Sequence, residues 1–265
     1  MAARDRLPQV LPMVHRAVAP GRRQEHVTAE SAPTILVFAR LDSRRLPGKT
    51  LLPLEGRPIL GRVIDRLRRV APRPGIIVAT SDRPLDDPIE AFARAEGVGV
   101  FRGTLDDVAQ RAFDCAMSRA LPALVRISAD SPFIAPDVIG QVVERFERGD
   151  VDLATNVHPR SFPPGISVEV LATAALGRVL AATRDPEDRE HVTRYIYAHA
   201  DKFRIANVSA PDGRYGGVSL TVDTDADLAK ARWIAGRLGP DMAAAGLDAI
   251  VALAREWVSS HGGRA

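Results

Sequence analysis

Short, continuous apolar runs that alternate with helix-period segments constrain this chain more than any other feature. From Thr34 onward, "TILVF" is followed by "RPILGRVIDRLRRV", "GIIVAT" by "DDPIEAFARAEG", "VGVF" by "LDDVAQRAFDCAMSRA", and "ALVRISAD" by "APDVIGQVVERFERG". A strand that is apolar at every position is buried on both faces, and strand–helix alternation implies right-handed crossovers in a mostly parallel sheet. The pattern predicts a three-layer α/β fold. In the first helix Ile59, Leu60, Val63, Ile64, Leu67 and Val70 share one stripe, while Arg62, Arg66, Arg68 and Arg69 are expected off it. Gly56 and Pro58 mark its start.

The second half is less regular. "VDLATNVHPRSFPPGISVEVL" reads as a short strand, a proline-rich loop and a further strand, with "KFRIANVSAP" and "VSLTVDT" as later strands with a helix between. "DTDADLAKARWIAGRLG" and "AAGLDAIVALAREWVSS" read as helices, the first capped by Thr224 or Asp225. Residues 1–33, broken by Pro8, Pro12, Pro20 and Pro33, read as a mobile tail. Residues 34–258 form one domain with an embedded substrate-binding insertion around 155–215, and 259–265 a second tail.

Composition removes several function classes. The chain has 265 residues, 46% of them hydrophobic, enough for one substantial core. A formal net charge of +3 is too small for a polybasic surface, so nucleic-acid binding is not indicated. Cys115 is the sole cysteine, which excludes an internal disulfide and suits a reducing compartment; among helical neighbours it reads as an inert buried thiol. No apolar run approaches the roughly 18 residues of a membrane span, and a cytoplasmic location is expected.

Ligands of open α/β sheets collect at the carboxyl ends of the strands, and three of the loops there carry chemistry. After the first strand come Arg40, Asp42, Ser43, Arg44, Arg45, Gly48 and Lys49, a cationic loop suited to several phosphate oxygens. "RISADSP" places Asp130 at the end of the fourth strand, and "LTVDTDADL" places Asp223 just before a helix. Two carboxylates with arginine and lysine balance a nucleoside triphosphate and magnesium, because hard cations take oxygen ligands and phosphoryl chemistry needs positioning and charge neutralisation. Each piece has a plainer reading alone: a solvated basic loop, a turn aspartate, a helix N-cap. Neither "GxxxxGK[ST]" nor "GxGxxG" is present, so the joint placement carries the phosphate reading.

"FARLDSRRLPGKTLLPLEGRPIL" resembles the signature of the cytidylyltransferases that make CMP-activated acidic sugars, the acylneuraminate and 3-deoxy-manno-octulosonate enzymes, and is most similar to their spore-coat polysaccharide branch. The similarity continues in order through "VATSDRPLDDPI", "VFRGTLDDVAQR", "VRISADSPFIAPDVI", "SFPPGISVEV", "EHVTRYI" and "LTVDTDADL", over about residues 34 to 240. The resemblance implies a nucleotide-diphospho-sugar transferase-like (glycosyltransferase-A-like) fold. It also implies the reaction of CTP with an acidic sugar to give a CMP-sugar and pyrophosphate, with Mg²⁺ as cofactor and a homodimer as assembly. Carried over by position, Arg40, Ser43, Arg45 and Lys49 match the triphosphate loop, with Arg45 and Lys49 on the leaving phosphates. Asp130 and Asp223 match the metal ligands, and Thr80, Arg102 and Arg126 lie in segments around the nucleotide. Arg160, Phe162, Glu169, Glu190 and His191 fall where the family recognises sugar and dimerises, and Arg160, Arg189 and Arg194 are the cations there. Asp42 and Phe38 depart from the family pattern, and Arg44 is the expected partner of Asp42.

Three readings stay open at this level: a cytidylyltransferase on an acidic sugar; a transferase of the same fold with another nucleotide, an alcohol or phosphonate acceptor, or a nucleotide-sugar donor; and a non-catalytic relative. "SADSP" lacks the Asp-X-Asp expected of a glycosyltransferase, and the presence together of Lys49, Asp130 and Asp223 speaks against a relic.

Overall fold

A computed structural model describes residues 33–262. The tail expected over 1–33 lies, apart from Pro33, outside them. In chain order the strands are β1 (Thr34–Phe38), β2 (Pro53–Leu54), β3 (Arg57–Pro58), β4 (Ile76–Ser81), β5 (Gly99–Gly103), β6 (Ala123–Ser128), β7 (Leu153–Thr155), β8 (Glu169–Ala172) and β9 (Ile205–Asn207). The helices are α1 (Ile59–Leu67), α2 (Asp87–Ala95), α3 (Val108–Ser118), α4 (Pro136–Glu147), α5 (Thr173–Ala182), α6 (Pro186–Glu190), α7 (Arg194–Ala198), α8 (Asp225–Leu238) and α9 (Leu247–His261).

The apolar runs become a seven-stranded sheet of order β5-β4-β1-β6-β8-β7-β9, with β2 and β3 as a small separate hairpin. β1 pairs in parallel with β4 and β6, β4 with β5, and β7 with β9; β8 runs antiparallel between β6 and β7. Alternate residues of each central strand serve different cores. Ile35, Val37, Val78, Val125 and Ile127 pack with α1, α2, α4, α8 and α9, while Leu36, Ile77 and Leu124 pack with α3, α5 and α7. That two-sided burial is why the strands read as continuous apolar runs, and the three expected layers are present. In α1 the stripe Ile59, Leu60, Val63, Ile64 and Leu67 is fully buried, each side chain contributing about 1.5–3 kcal/mol relative to exposure.

Three expectations are corrected. Arg66 is 1% exposed rather than on the solvent side of α1. Its guanidinium donates to the carbonyls of Ile134, Met242, Ala243 and Ala245, so a buried cation ties α1 to the turn before α9. Burial, then Arg69, lowers its pKa to about 10. "VSLTVDT" is not a strand. Val218, Leu220 and Val222 alternate into the core, but the segment makes isolated bonds, Leu220 N–H to Pro164 O (2.8 Å) and Val222 N–H to Asp130 O (3.0 Å), in place of a ladder. Gly165, at φ +93°, permits this approach, since a Cβ there would lie 2.6 Å from the Leu220 carbonyl carbon. Between β9 and this segment stands only a one-turn 3-10 helix, Pro211–Gly213; the longer helices α5, α6 and α7 precede β9.

Candidate active site

The β1 loop is closed on itself before any ligand is considered. Gly48, in the left-handed region at φ 71°, lets its N–H reach Leu41 O (2.8 Å), and Thr50 Oγ1 donates to Arg40 O (3.0 Å). The turn presents Lys49 at the start of a short 3-10 helix, beside the carboxyl ends of β1 and β6.

Asp130 follows β6, and the Val222 N–H bond to its carbonyl sets the next residue, Asp223, alongside it. Asp227 fixes Asp223 from the other side. Its Oδ2 accepts from the backbone N–H groups of Asp223 (3.2 Å) and Thr224 (3.0 Å), within a capping box whose N-cap is Thr224. Burial raises the Asp227 pKa, but the Thr224 hydroxyl, Lys230 and these N–H groups outweigh it and the net shift is downward. The two aspartates, far apart in sequence, therefore converge. Lys49 Nζ lies 2.8 Å from Asp130 Oδ2 and 2.6 Å from Asp223 Oδ1, and Arg45 Nη2 lies 2.9 Å from Asp223 Oδ2.

Two half-buried carboxylates sharing one cation are a hard-oxygen donor set, which fits a divalent ion that completes its shell with phosphate and water. Among the described residues no group of three or more His, Cys, Asp or Glu side chains is placed to hold a metal.

The other flank is an ion-pair chain. Glu190 Oε1 lies 2.9 Å from Arg40 Nη2, Arg40 Nε 3.5 Å from Asp42 Oδ1, Asp42 Oδ2 2.9 Å from Arg83 Nη1, and Arg83 Nη2 3.1 Å from Asp86 Oδ2. Asp42 is thus held by Arg83 and Arg40, not by the expected Arg44. Asp86, 0% exposed, also accepts from Ser81 Oγ and from the Leu41 N–H (2.8 Å), so it anchors the β1 loop to the β4 loop. Ser43 Oγ accepts from the Leu46 N–H (3.4 Å).

A cavity of about 380 Å³ opens beside this flank, walled by Arg126, Arg160, Ser167, Glu169, His191 and Tyr197 among others. Glu169 is buried and fully engaged: Oε2 takes Arg126, and Oε1 takes the Thr193 (2.7 Å) and Tyr197 hydroxyls. Burial opposes its ionisation, but the Arg126 charge and then these hydroxyls hold the carboxyl below the usual glutamate value. Burial, then the Glu169 charge, pushes the Tyr197 phenol well above its ordinary range. Arg194 is bound to Asp188, and Arg160 donates to Ser167 Oγ (3.1 Å), a neutral partner. With Glu169 satisfied, the cavity is cationic.

Several anticipated residues are already engaged within the fold. Arg102 is tied to Asp87 (2.6 Å), Glu90 (2.7 Å) and the carbonyls of Ser81 and Arg83, bracing α2. Thr80 is fully buried in β4, opposite Arg102. Arg189 is buried against Asp107 (2.9 Å) and the carbonyls of Thr183 and Leu180, joining α6 to α3 instead of lining the cavity. Arg83, Asp86, Thr193 and Tyr197 were missed.

The family profile of the cytidylyltransferases matches residues 34–232. The chain is 31% identical over 224 residues to the spore coat polysaccharide biosynthesis protein SpsF of Bacillus subtilis, covering 80% of this chain and 90% of that one. It is 28% identical over 188 residues to a 3-deoxy-manno-octulosonate cytidylyltransferase of Anaeromyxobacter, covering 70% and 66%. A solved cytidylyltransferase from Leptospira borgpetersenii superposes with a TM-score of 0.78 at 28% identity, over 88% of this chain and 96% of that one. With the aspartate pair and the cationic loop at the carboxyl end of a mostly parallel sheet, the chain belongs to the cytidylyltransferase family and is a nucleotidyltransferase.

Proposed function

We propose that the protein is a Mg²⁺-dependent cytidylyltransferase that converts CTP and an acidic sugar, of the nonulosonic or octulosonic acid kind, to a CMP-sugar and pyrophosphate for surface polysaccharide synthesis. The observation that carries this reading is the bridge of Lys49 Nζ between Asp130 and Asp223, with Arg45 alongside. The resemblance to 3-deoxy-manno-octulosonate enzymes and to SpsF, and the cationic cavity next to the β1 loop, support the acceptor class.

Asp130 and Asp223 would hold the metal, which neutralises phosphate charge and acidifies the attacking hydroxyl when bound. Lys49 and Arg45 then turn from the carboxylates to the phosphates and stabilise the charge that builds on departing pyrophosphate. Arg160, whose partner is neutral, is the cation of the cavity best placed to take the acceptor's carboxylate, and His191 stands on the same wall. The hydroxyl oxygen bonds to the α-phosphorus as the bond to the bridging oxygen of pyrophosphate breaks and the hydroxyl proton leaves to solvent, and the cavity's role is to align the two reacting groups.

The test is pyrophosphate release from CTP across a panel of nonulosonic and octulosonic acids. Asp130→Ala and Asp223→Ala should each lower turnover by about 10³-fold or more, because loss of metal-held charge is worth several kcal/mol. Near-normal release by either variant with the preferred acid would sink the assignment.

A further inference from the structure

Four buried side-chain atoms lack a hydrogen-bond partner among the described residues: Asp42 Oδ1, Thr80 Oγ1, Arg111 Nε and Arg126 Nε. Native interiors leave few such atoms, and each asks for an explanation. Thr80 is neutral, Asp42 is paired with Arg83 and Arg126 with Glu169. Arg111 differs from all three. It is 3% exposed, and no carboxylate among the described residues pairs with it.

Among the described residues the guanidinium of Arg111 donates only through Nη1, to the carbonyls of Thr104 (2.6 Å) and Leu105 (3.5 Å) just past β5. Its stem packs on Gly103, where an added Cβ would lie 3.0 Å from Arg111 Cγ. The charges around it are Arg40, Asp86, Asp82 and Arg83. Asp86 is already committed to Leu41, Ser81 and Arg83, and Asp82 is exposed. Two of the four neighbours are themselves cations. Burial, then Arg40, accordingly lowers the Arg111 pKa, with Asp86 and Asp82 opposing.

Other buried arginines show what a structural role looks like. Arg66 spends its donors on four carbonyls, and Arg189 on Asp107 and two carbonyls. Arg111 leaves Nε without a partner among the described residues, and the Arg40 charge adds to its own instead of offsetting it, which disfavours the unliganded fold and becomes favourable when an oxyanion enters.

We propose that Arg111 is an anion-binding residue which, together with Arg40, takes a phosphate oxyanion at the carboxyl ends of β1 and β5. The nucleotide as source of that oxyanion rests on the proposed function; the anion site itself does not.

Calorimetric titrations of the full chain with inorganic pyrophosphate, CMP and CTP, in EDTA, test this. Arg111→Met should weaken at least one of them by about 10–100-fold, the worth of a charge-assisted hydrogen bond. Loss for pyrophosphate and CTP with CMP unchanged assigns a terminal phosphate; loss for CMP and CTP with pyrophosphate unchanged assigns the α-phosphate. The unliganded melting temperature of Arg111→Met should equal or exceed that of wild type, since an uncompensated buried charge has been removed. Arg111→Lys, which keeps the charge without the planar fork, should fall between the two in affinity. Wild-type affinities in Arg111→Met, or no binding of any of the three by wild type, would overturn the proposal. So would failure of both variants to fold, because Arg111 would then be structural. Wild type that binds pyrophosphate in an Arg111-dependent way but shows no preference for CTP over ATP or GTP would sink the cytidylyltransferase reading and leave the anion site standing.

Discussion

Glu169→Gln isolates the contribution of a single buried charge to both fold and cavity. The substitution is nearly isosteric, and the remaining carbonyl oxygen still accepts from Thr193 and Tyr197, so the change is confined to the bond with Arg126. Removing one member of a buried pair costs about 3–5 kcal/mol because the other is left uncompensated. Arg126 is 27% exposed toward the cavity and regains part of that from water, which reduces the expected loss to about 2–3 kcal/mol. For a domain of this size about 1 kcal/mol moves the melting temperature by roughly 2–4 °C, so a drop of about 5–10 °C is expected at pH 7. The Glu169 pKa is depressed in the fold, so its stabilisation is present above the unfolded glutamate value of 4.5 and is lost as pH falls through the lower folded value. Thermal unfolding of both proteins from pH 7 downward is the assay. The gap between them must shrink below pH 4.5. A gap under about 1 °C at pH 7, or one that does not change with pH, refutes the reasoning.

Asp152, held by Arg204 and Arg178, has its pKa lowered to about 2 despite the opposing effect of burial. The melting-temperature difference between wild type and Asp152→Asn should therefore be full at neutral pH and close as pH falls from the ordinary 3.8 toward about 2. Cys115 is fully buried, and burial raises its thiol to about 11, so a thiol reagent at pH 8 should leave it untouched in the folded enzyme and label it fully in denaturant. Labelling of folded protein at the denatured rate would contradict that burial. Lys49→Ala removes the cation between Asp130 and Asp223, so Mg²⁺ alone should raise the melting temperature of this variant by several degrees and that of wild type by less. Equal Mg²⁺ responses would show that the two carboxylates do not hold the ion.

The sheet was legible because two-sided burial writes itself as uninterrupted apolar runs; β1 and β4 carry that mark, β6 carries it up to Arg126, and the edge strand β5, nowhere fully buried, carries it least. "VSLTVDT" carries a similar mark for a different reason: Leu220 and Val222 are buried, but their N–H groups reach single carbonyls at Pro164 and Asp130, and periodicity does not distinguish that from a ladder. The aspartates were legible as loop residues, whereas their convergence depends on the Val222 bond to Asp130, a contact between distant segments. Arg66, Arg111 and Arg189 were misread or passed over alike. A charged residue in a helix reads as solvated by default; Arg66 and Arg189 are buried because carbonyls and a carboxylate reach them from elements far along the chain, whereas Arg111 is buried with only the nearby Thr104 and Leu105 carbonyls.

The β1 loop invites the reading of a cationic surface waiting for phosphate, yet its charges are largely committed already. Lys49 and Arg45 are paired with the two aspartates, and Arg40 with Asp42 and Glu190. Binding a triphosphate is therefore an exchange of partners, in which each phosphate contact replaces an ion pair whose carboxylate must find another cation. On the β6 flank a divalent ion held by Asp130 and Asp223, as proposed, would supply that replacement, so metal and nucleotide are expected to favour each other's binding. On the β4 flank no such ion is needed, because Arg83 stays with Asp42 and Asp86 when Arg40 turns away. Under the proposed function Asp42, paired with Arg83, would not stand as a bare carboxylate beside the phosphates. Glu190 links Arg40 to α6, and the following residues His191 and Arg194 wall the cavity, so under the proposed function a nucleotide that draws Arg40 away would also release the segment beside the acceptor.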